Sequence, residues 1–278
     1  MTMDLAQAVS FLFVPANRPE RYAKAVASGA DAVILDLEDS VPPAEKAAAR
    51  QAVRAGWAGL APCGAPIAVR VNARGSGLLD EDLDALRGLT PVPAIVLSKA
   101  ESAADVAHVR GVLPGASVIP LLETAAGLHA IDAVASSPGV VRLAIGHLDF
   151  MADTGIRAGP GEPELAPLRF AVAMATRTAG LVPAVDGVTV QTDDAAQLRE
   201  DIARARRFGF GGKLCIHPRQ VSVAHEAFAP DAAELAWAQR VVDADAAAGG
   251  RAVQVDGRMV DLPVVSLARL TLARARRR

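Results

Sequence analysis

The sequence predicts an α/β fold, a (β/α)8 TIM barrel with a short C-terminal helical extension. Short apolar runs alternate with Ala-rich, charged segments of helical length along most of the chain. Each run is almost continuously apolar, which is typical of parallel strands that are covered on both faces. Repeating such strand–helix units over about 215 residues matches the size of a closed barrel.

The predicted strands follow one another at regular spacing. They are Phe11–Val14, Ala32–Asp36, Ile67–Val71, Ala94–Leu97, Val118–Leu122, Val141–Ile145, Val185–Val190 and Lys213–Ile216. The competing architecture is an open doubly wound sheet. That sheet would carry a glycine-rich turn after its first strand, and Val14–Pro19 has no G-x-G-x-x-G pattern. The barrel is therefore the preferred fold.

Helices are predicted between these strands from their composition and their end signals. The clearest are Pro42–Arg54, Thr124–Ala135, Leu165–Ala179 and Asp194–Phe208. Ser40 is a candidate N-cap for the first of them. The fourth has acidic residues early and arginines late, which suits the helix dipole. Gly29, Gly180 and Gly209 stand where helices are expected to end.

We divide the chain into a barrel domain, residues 1–217, and a C-terminal extension, residues 218–278. The extension contains a predicted helix at Asp231–Ala248, a Gly249-Gly250 break, the segment Val253–Asp261 and a basic last helix. It is too short to form an independent domain. We expect it to pack on the barrel or on a neighbouring subunit as a lid.

Composition excludes several classes of protein. The net charge of −2 gives no basic field for nucleic acid. No apolar stretch approaches the roughly 20 residues that cross a membrane. Met1–Ser10 has no Lys or Arg, unlike a secretory signal. We therefore expect a cytoplasmic enzyme without nucleic-acid or membrane partners, with Cys63 and Cys215 as free thiols.

Polar side chains follow every predicted strand, at the end of a barrel where catalytic residues lie. In chain order they are Asn17, Arg18, Asp36, Glu38, Asp39, Arg70, Asn72, Lys99, Glu101, Glu123, Asp149, Asp186, Lys213 and His217. Each has a simpler structural explanation as well. Asp39 could cap a helix, Lys99 could pair with Glu101, and Asp186-Gly187 could form a turn.

Glu123 and Asp149 are the best candidates for metal ligands. Each follows an apolar run, and adjacent parallel strands lie roughly 4.8 Å apart, so the two carboxylates can converge on one ion. Two carboxylates without a nearby Cys or His pair favour Mg²⁺ over zinc. Arg70 is the natural electrophilic partner, because its guanidinium can clamp a carboxylate or an enolate oxygen at two points.

The chain resembles the citrate lyase β-subunit-like group of the HpcH/HpaI aldolase superfamily. The resemblance covers nearly the whole length and depends on an ordered set of segments. They are Phe13–Arg21, Ala32–Val41, Arg70–Asn72, Leu122–Leu128, Asp186–Val188, Gly209–Gln220 and Asp256–Val265.

This resemblance implies a Mg²⁺-dependent carbon–carbon lyase that forms a homotrimer or a hexamer. Its substrates would be 3-hydroxyacyl-CoA thioesters of the malyl-CoA, citramalyl-CoA or citryl type, cleaved through a thioester enolate to a 2-oxo acid. Glu123 and Asp149 would bind the metal, Arg70 would contact the substrate, and Asp261 would reach a neighbouring subunit's site. The expected contacts for the substrate or its CoA arm are Asn17, Arg18, Asp36, Glu38, Lys99, Lys213 and His217.

Two departures from the family pattern put the substrate in question. The loop Ala73–Leu79 lacks the family's usual Thr-Pro-Trp, and Ser98 replaces the usual proline after the fourth strand. Three alternatives therefore remain. The chain could be a metal-dependent aldolase for free hydroxy-oxo acids, a β-subunit acting on an acyl-carrier-protein-bound substrate, or a barrel whose site has decayed.

Overall fold

In the computed structural model, which describes residues 5–60 and 65–276, eight parallel strands close into a barrel. Each strand pairs with the next in chain order, and β1 pairs with β8 to complete the ring. The strands are β1 (Ser10–Pro15), β2 (Ala32–Asp36), β3 (Ile67–Val71), β4 (Ala94–Leu97), β5 (Val118–Leu122), β6 (Ala144–Ile145), β7 (Val185–Asp186) and β8 (Gly212–Cys215). The predicted (β/α)8 fold is confirmed.

Helices connect successive strands and continue beyond the barrel. They are α1 (Tyr22–Val26), α2 (Lys46–Leu60), α3 (Leu79–Leu86), α4 (Ala103–Val112), α5 (Ala125–His129), α6 (Ile131–Ala135), α7 (His147–Thr154), α8 (Ala166–Thr178), α9 (Ala195–Arg207), α10 (Arg219–Phe228), α11 (Ala232–Ala248) and α12 (Leu262–Arg276). No described helix has the length and apolar character needed to cross a membrane.

Two strands are shorter than predicted, and a buried charged side chain binds a backbone carbonyl oxygen near each of them. The run Val141–Ile145 contains Arg142, whose guanidinium donates to the carbonyl oxygen of Pro183, and β6 keeps only two residues. After Asp186, the carbonyl oxygen of Gly187 accepts a hydrogen bond from the Lys213 ammonium, and β7 ends there.

Helix limits also differ from the sequence prediction at two places. The predicted helix over Thr124–Ala135 is two short helices, because Ala130 leaves the helical region between α5 and α6. Ser40 does not cap α2, which follows a 3-10 turn at Pro43–Glu45. The Ser40 N–H donates instead to Asp36. Gly29, Gly180 and Gly209 all adopt positive φ, as their predicted place at helix ends requires.

The barrel interior is filled by small and branched apolar side chains from every strand. Phe11, Ile34, Val96, Ile119 and Leu214 belong to one buried cluster that also includes several alanines. Such a filled interior makes the barrel a packed core rather than a channel. Substrate access is therefore confined to the rim, where the strands end. Cys215 on β8 is a buried free thiol, and Cys63 lies outside the described residues.

Arg142 closes the end of the barrel opposite the strand carboxyl ends. Its side chain is 1% exposed, and its guanidinium donates to the carbonyl oxygens of Pro183, Ala8 and Leu5 at 2.5, 2.6 and 3.2 Å. Burial lowers its pKa to about 9, an effect only partly offset by the charge of Asp31. The side chain also lies over the Phe11 ring. One buried guanidinium thus binds two backbone segments, the one before β1 and the one before β7.

Residues from Glu226 onward form a second compact unit. Asp231 and Glu234 make a capping box at the start of α11. The hairpin of β9 (Val253–Val255) and β10 (Arg258–Val260) turns at Asp256-Gly257, both with positive φ as a type I′ turn requires. Apolar side chains of α11, the hairpin and α12 form a separate core. Whether this unit packs on the barrel or on a neighbouring subunit stays a prediction.

We predict that Arg142→Ala lowers the free energy of unfolding by about 3–5 kcal/mol, because it leaves three buried carbonyl oxygens unpaired. The matched control is the exposed variant Arg87→Ala, which loses only a surface ion pair to Asp84. It should change the free energy of unfolding by about 0.5 kcal/mol or less. Urea denaturation followed by circular dichroism measures both. Equal stability of the two variants would refute the role given to Arg142.

Candidate active site

Charged side chains from four neighbouring strands meet at the rim of the barrel. Asp36 ends β2, Arg70 lies on β3, Lys99 follows β4, and Glu123 follows β5. Because the barrel is closed and its strands are parallel, their carboxyl ends lie next to one another. The polar strand ends identified in the sequence therefore come together in space.

Glu123 lies at the bottom of this group. It is 1% exposed, and its Oε1 accepts a hydrogen bond from the Lys99 backbone N–H at 2.8 Å. Burial, and next the negative charge of Glu38, raise the pKa of Glu123 to about 8. A Cβ on Gly146 would approach Glu123 Oε2 to 2.1 Å, so this close packing requires glycine there. The fold thus holds the Glu123 carboxylate where neighbouring positive charge only partly offsets its burial.

Asp149 approaches Glu123 from a helix rather than from a strand. The sequence analysis placed it at the end of the sixth strand, but β6 ends at Ile145 and Asp149 lies in the first turn of α7. A helix N-terminus favours a carboxylate by its dipole. The Lys99 ammonium is 3.1 Å from Asp149 Oδ1 and 3.8 Å from Glu123 Oε1. A single positive charge therefore contacts both carboxylates.

Arg70 is held in place by acidic side chains of the preceding strand end. Its Nε and Nη2 donate to the two oxygens of Asp36 at 2.6 and 2.7 Å, and its Nη1 lies 2.9 Å from Glu38 Oε2. The guanidinium also stacks on the Phe13 ring. Burial alone would raise the pKa of Asp36, but Arg70 holds it below its usual value. Arg70 is consequently a fixed rather than a mobile cation.

A cavity of about 940 Å³ opens beside these residues. Glu38, Asp39 and Lys99 line it on the side of the carboxylates, and Arg74 lines it from the loop that follows β3. Arg74 is half exposed, with one ion pair to Asp105 at 3.4 Å. Burial and the charge of Glu38 raise the pKa of Asp39 to about 6. The cavity thus offers both acidic and basic groups to a ligand.

Lys99 does not pair with Glu101, the simpler explanation considered from the sequence. Its ammonium instead donates to Glu38 Oε1 at 2.7 Å and contacts Asp149. Asn17 donates to Glu45, and Arg18 is half exposed beside Glu20. These two residues lie at the rim after β1 without touching the central group.

Lys213 and His217 also stand apart from the central group. The ammonium of Lys213 is buried and donates to Asp186 Oδ2 at 2.9 Å, while the ring of His217 accepts from the Arg219 backbone N–H. Asp261 belongs to the second unit, where its side chain accepts from the Val264 N–H at 3.5 Å. The structure thus brings together six of the predicted site residues. They are Asp36, Glu38, Arg70, Lys99, Glu123 and Asp149.

A second ionic network was missed by the sequence analysis. Glu162, in a left-handed conformation with φ of 51°, binds Arg169 at 2.5 Å and Arg204 at 3.0 Å. Its other oxygen lies 3.6 Å from His147 Nε2. Arg169 continues the network to Asp186 at 3.2 Å. No pattern in the sequence connects these residues, because they come from a loop and two helix surfaces.

The central group fits a hard divalent cation that keeps several waters. Its two converging side chains are carboxylates, and one ammonium already contacts both. Mg²⁺ is held in this way, by one or two carboxylates together with water and substrate oxygens. No cluster of three or more His, Cys, Asp or Glu side chains that could hold a metal occurs within residues 5–60 and 65–276. A site built entirely from protein ligands is therefore not present in that part of the chain.

Comparison with known proteins gives consistent matches over the chain. The model of the HpcH/HpaI aldolase/citrate lyase family matches residues 9–218. A citrate lyase subunit beta-like protein of Deinococcus radiodurans is 39% identical over 276 residues, covering 95% of this chain and 96% of that protein. A (3S)-malyl-CoA thioesterase of Cereibacter sphaeroides is 33% identical over 270 residues, covering 96% of this chain and 94% of that protein.

A solved structure matches equally well. CitE from Mycobacterium tuberculosis, in complex with magnesium, acetoacetate and coenzyme A, superimposes with a TM-score of 0.85 at 37% identity. The match covers 98% of this chain and 99% of that one. Fold and sequence therefore point to the same group of proteins.

We predict that Asp39 titrates near pH 6, because burial and the neighbouring Glu38 charge oppose its ionisation. The usual value is 3.8, so the folded chain keeps this proton to higher pH than the unfolded chain. This carboxyl therefore lowers folding stability as pH rises from about 4 to about 6. Carboxyl ¹³C NMR, with Asp39→Asn to assign the signal, measures the midpoint. A midpoint at or below the usual value would contradict the placement of Asp39 beside Glu38.

Proposed function

The chain belongs to the HpcH/HpaI aldolase/citrate lyase family, and on that premise we propose that it is a Mg²⁺-dependent lyase for a 3-hydroxyacyl-CoA thioester. Family membership confirms the predicted class, a carbon–carbon lyase of the citrate lyase β-subunit-like type. The proposed substrates are malyl-CoA, citramalyl-CoA or a citryl thioester. The products would be a 2-oxo acid and an acyl-CoA.

One observation carries this proposal. The carboxylates of Glu123 and Asp149 both contact the Lys99 ammonium at the rim of the barrel, beside Arg70. Oxygen ligands of this kind are those that Mg²⁺ prefers. The CitE structure, which contains magnesium, acetoacetate and coenzyme A, supports the same metal and the same class of ligand for this chain.

Glu123 and Asp149 would hold the metal. When bound, Mg²⁺ acts as a Lewis acid that stabilises negative charge on an oxygen of the substrate. The remaining chemistry belongs to the protein. Cleavage moves one proton overall, from the 3-hydroxyl group of the substrate to the carbon atom that becomes the methyl group of the acyl-CoA. The bond between this carbon atom and the carbon that carries the hydroxyl group breaks, and its electron pair passes to the thioester enolate.

Arg70 would stabilise the enolate oxygen. A guanidinium has five N–H donors, and three of its contacts here go to Asp36 and Glu38. The N–H groups that make none of these contacts remain to bind a substrate oxygen. Because Asp36 fixes the guanidinium before substrate arrives, little reorganisation is needed when the charge develops. Asp36 and Glu38 would thus act through Arg70 and Lys99 rather than by binding an anionic arm themselves.

Asp261 would supply the proton that the enolate carbon receives. It lies in the second unit at the start of α12, partly exposed, with one long backbone hydrogen bond. We propose that it acts on the site of a neighbouring subunit in a homotrimer or hexamer. Asn17, Arg18 and His217 are proposed contacts for the CoA arm. Lys213, whose ammonium is engaged by Asp186, would support the rim from below.

We predict that Glu123→Gln and Asp149→Asn each lower kcat/KM by about 100-fold or more, because each removes a metal ligand. Purified protein with excess Mg²⁺ is assayed on malyl-CoA and citramalyl-CoA, with glyoxylate or pyruvate as the measured product. Asp84→Asn, an exposed acid on α3, is the matched control and should keep wild-type turnover. Wild-type turnover by Glu123→Gln would refute the metal assignment.

The same assay separates the alternatives. Release of free thiol without a 2-oxo acid would identify a thioesterase, the activity in the name of the Cereibacter sphaeroides relative. Calorimetry with acetyl-CoA tests the aldolase for free hydroxy-oxo acids, which would not bind it. Turnover of an acyl-carrier-protein thioester, with none of the CoA ester, would identify a β-subunit that acts only within a complex.

We predict that mixed Glu123→Gln and Asp261→Asn subunits recover activity that neither variant shows alone. If Asp261 acts in trans, some assembled sites combine an intact Glu123 with an intact Asp261 from the neighbouring subunit. The two variants are denatured and refolded together, and analytical ultracentrifugation verifies their assembly. Recovery of about a tenth or more of wild-type kcat is expected for shared sites. A mixed assembly as inactive as its parents would show that Asp261 does not complete a neighbour's site.

A further inference from the structure

Lys99 has an unusual backbone conformation for a lysine. Its φ is 45°, in the left-handed region that non-glycine residues seldom occupy. Such conformations persist where surrounding contacts hold them, and they concentrate at functional sites. Here the backbone N–H of Lys99 binds Glu123 Oε1, and the next residue, Ala100, donates to the Leu121 carbonyl oxygen. The strained turn therefore aims both the N–H and the side chain of Lys99 at the central carboxylates.

The ammonium of Lys99 contacts three carboxylates from three different elements. It lies 2.7 Å from Glu38, 3.1 Å from Asp149 and 3.8 Å from Glu123. Its side chain is 31% exposed, so it is neither locked in the core nor free in solvent. Two of its three partners are the proposed metal ligands. Lysine and metal ion therefore require the same two carboxylates.

On the basis of the proposed metal site, we propose that Lys99 is a displaceable counter-cation that competes with the divalent ion for Glu123 and Asp149. An ammonium this close to both oxygens opposes a second positive charge by Coulomb repulsion. Lys99 thereby sets the affinity of the site for metal. It is a positioning and tuning residue, which acts through the carboxylates.

Glu38 provides the alternative position for the ammonium. This carboxylate makes the shortest of the three contacts, and both Glu38 and Lys99 line the cavity of about 940 Å³. When metal occupies Glu123 and Asp149, the ammonium keeps its Glu38 contact and turns toward the cavity. There it presents a positive charge to an anionic group of the substrate. Metal loading is thus coupled to preparation of the substrate cavity.

A purely structural ion pair makes the opposite prediction. If Lys99 only ties β4 to its neighbours, its removal would loosen Glu123 and Asp149 and weaken metal binding. If it competes, its removal would leave both carboxylates in place and strengthen metal binding. The sign of the change in affinity therefore distinguishes the two roles.

The test is isothermal titration calorimetry of the full-length protein with MgCl₂, without substrate. Lys99→Met removes the charge and keeps the length and the backbone strain of the side chain. We expect the dissociation constant for Mg²⁺ to fall by about tenfold or more, because a unit charge about 4 Å away is removed. Lys99→Arg, which keeps the charge, should stay within about threefold of wild type. Lys24→Met on the exposed face of α1 changes the net charge equally and should have no effect.

Each outcome has one meaning. Tighter binding by Lys99→Met alone supports the proposal, whereas unchanged or weaker binding by a folded Lys99→Met overturns it. Thermal melting verifies folding, and Lys99→Gln replaces the methionine variant if that variant does not fold. A wild-type protein that binds no Mg²⁺ would overturn the metal site itself and this proposal with it. Wild-type binding that Glu123→Gln abolishes, without tightening by Lys99→Met, would overturn only the role of Lys99.

Discussion

The imbalance of buried charge at the rim of the barrel is the constraint on which the rest of the site depends. Asp36, Glu38 and Glu123 are buried there, while Arg70 and Lys99 supply the positive charge. Arg70 pairs directly with Asp36 and Glu38, and the Lys99 ammonium lies 3.8 Å from Glu123, so burial and the charge of Glu38 still raise the pKa of Glu123 to about 8. The proposed divalent cation would supply the missing charge. The raised pKa of Glu123 and the proposed metal are therefore two consequences of one arrangement.

A second layer of buried polar groups keeps these charges in position. The ammonium of Lys46 donates to the carbonyl oxygens of Leu37 and Glu38 and to Asn72 Oδ1. Asp82 in turn accepts from the backbone and side chain of Asn72 and from Arg50. This chain of hydrogen bonds ties the ends of β2 and β3 to α2 and α3. Because most of these buried groups are paired with one another, moving one strand end would leave several of them unsatisfied.

Sequence reasoning was accurate where apolar continuity alone decides the structure. The limits of β2, β3, β4 and β5 were predicted to the residue, since each strand is almost entirely buried. It was less accurate for β6 and β7, where the buried charges of Arg142 and Lys213 bind backbone carbonyl oxygens. The burial of Arg142, for which the described residues show no carboxylate ion pair, cannot be read from the hydrophobic pattern of the sequence. Asp149 was consequently placed on a strand, although the first turn of α7 carries it.

Site residues were predictable to the extent that they follow strands. Asp36, Arg70, Lys99 and Glu123 do so, and the closure of the barrel brings them together. Glu162, Arg169 and Arg204 do not, because a left-handed loop residue reaches both the following helix α8 and the later helix α9. Nothing in a single sequence distinguishes such arginines from ordinary surface residues. Their network becomes visible only when three elements are placed side by side.

The two sides of the rim differ in how tightly they are packed. On the side of β6 to β8, Glu162 contacts His147 at the start of α7, and a Cβ on Gly187 would meet the His147 ring at 2.2 Å. This packing fixes the helix that presents Asp149. On the side of β2 to β4, the cavity is bordered by the half-exposed Arg74 and by a loop without the family's usual Thr-Pro-Trp. A rigid side suits a metal ligand, and an open side with an accessible guanidinium suits recognition of a substrate. We therefore expect differences in substrate between this chain and its relatives to arise around Arg74, since a change beside Glu162 would first disturb the helix that presents Asp149 to the proposed metal.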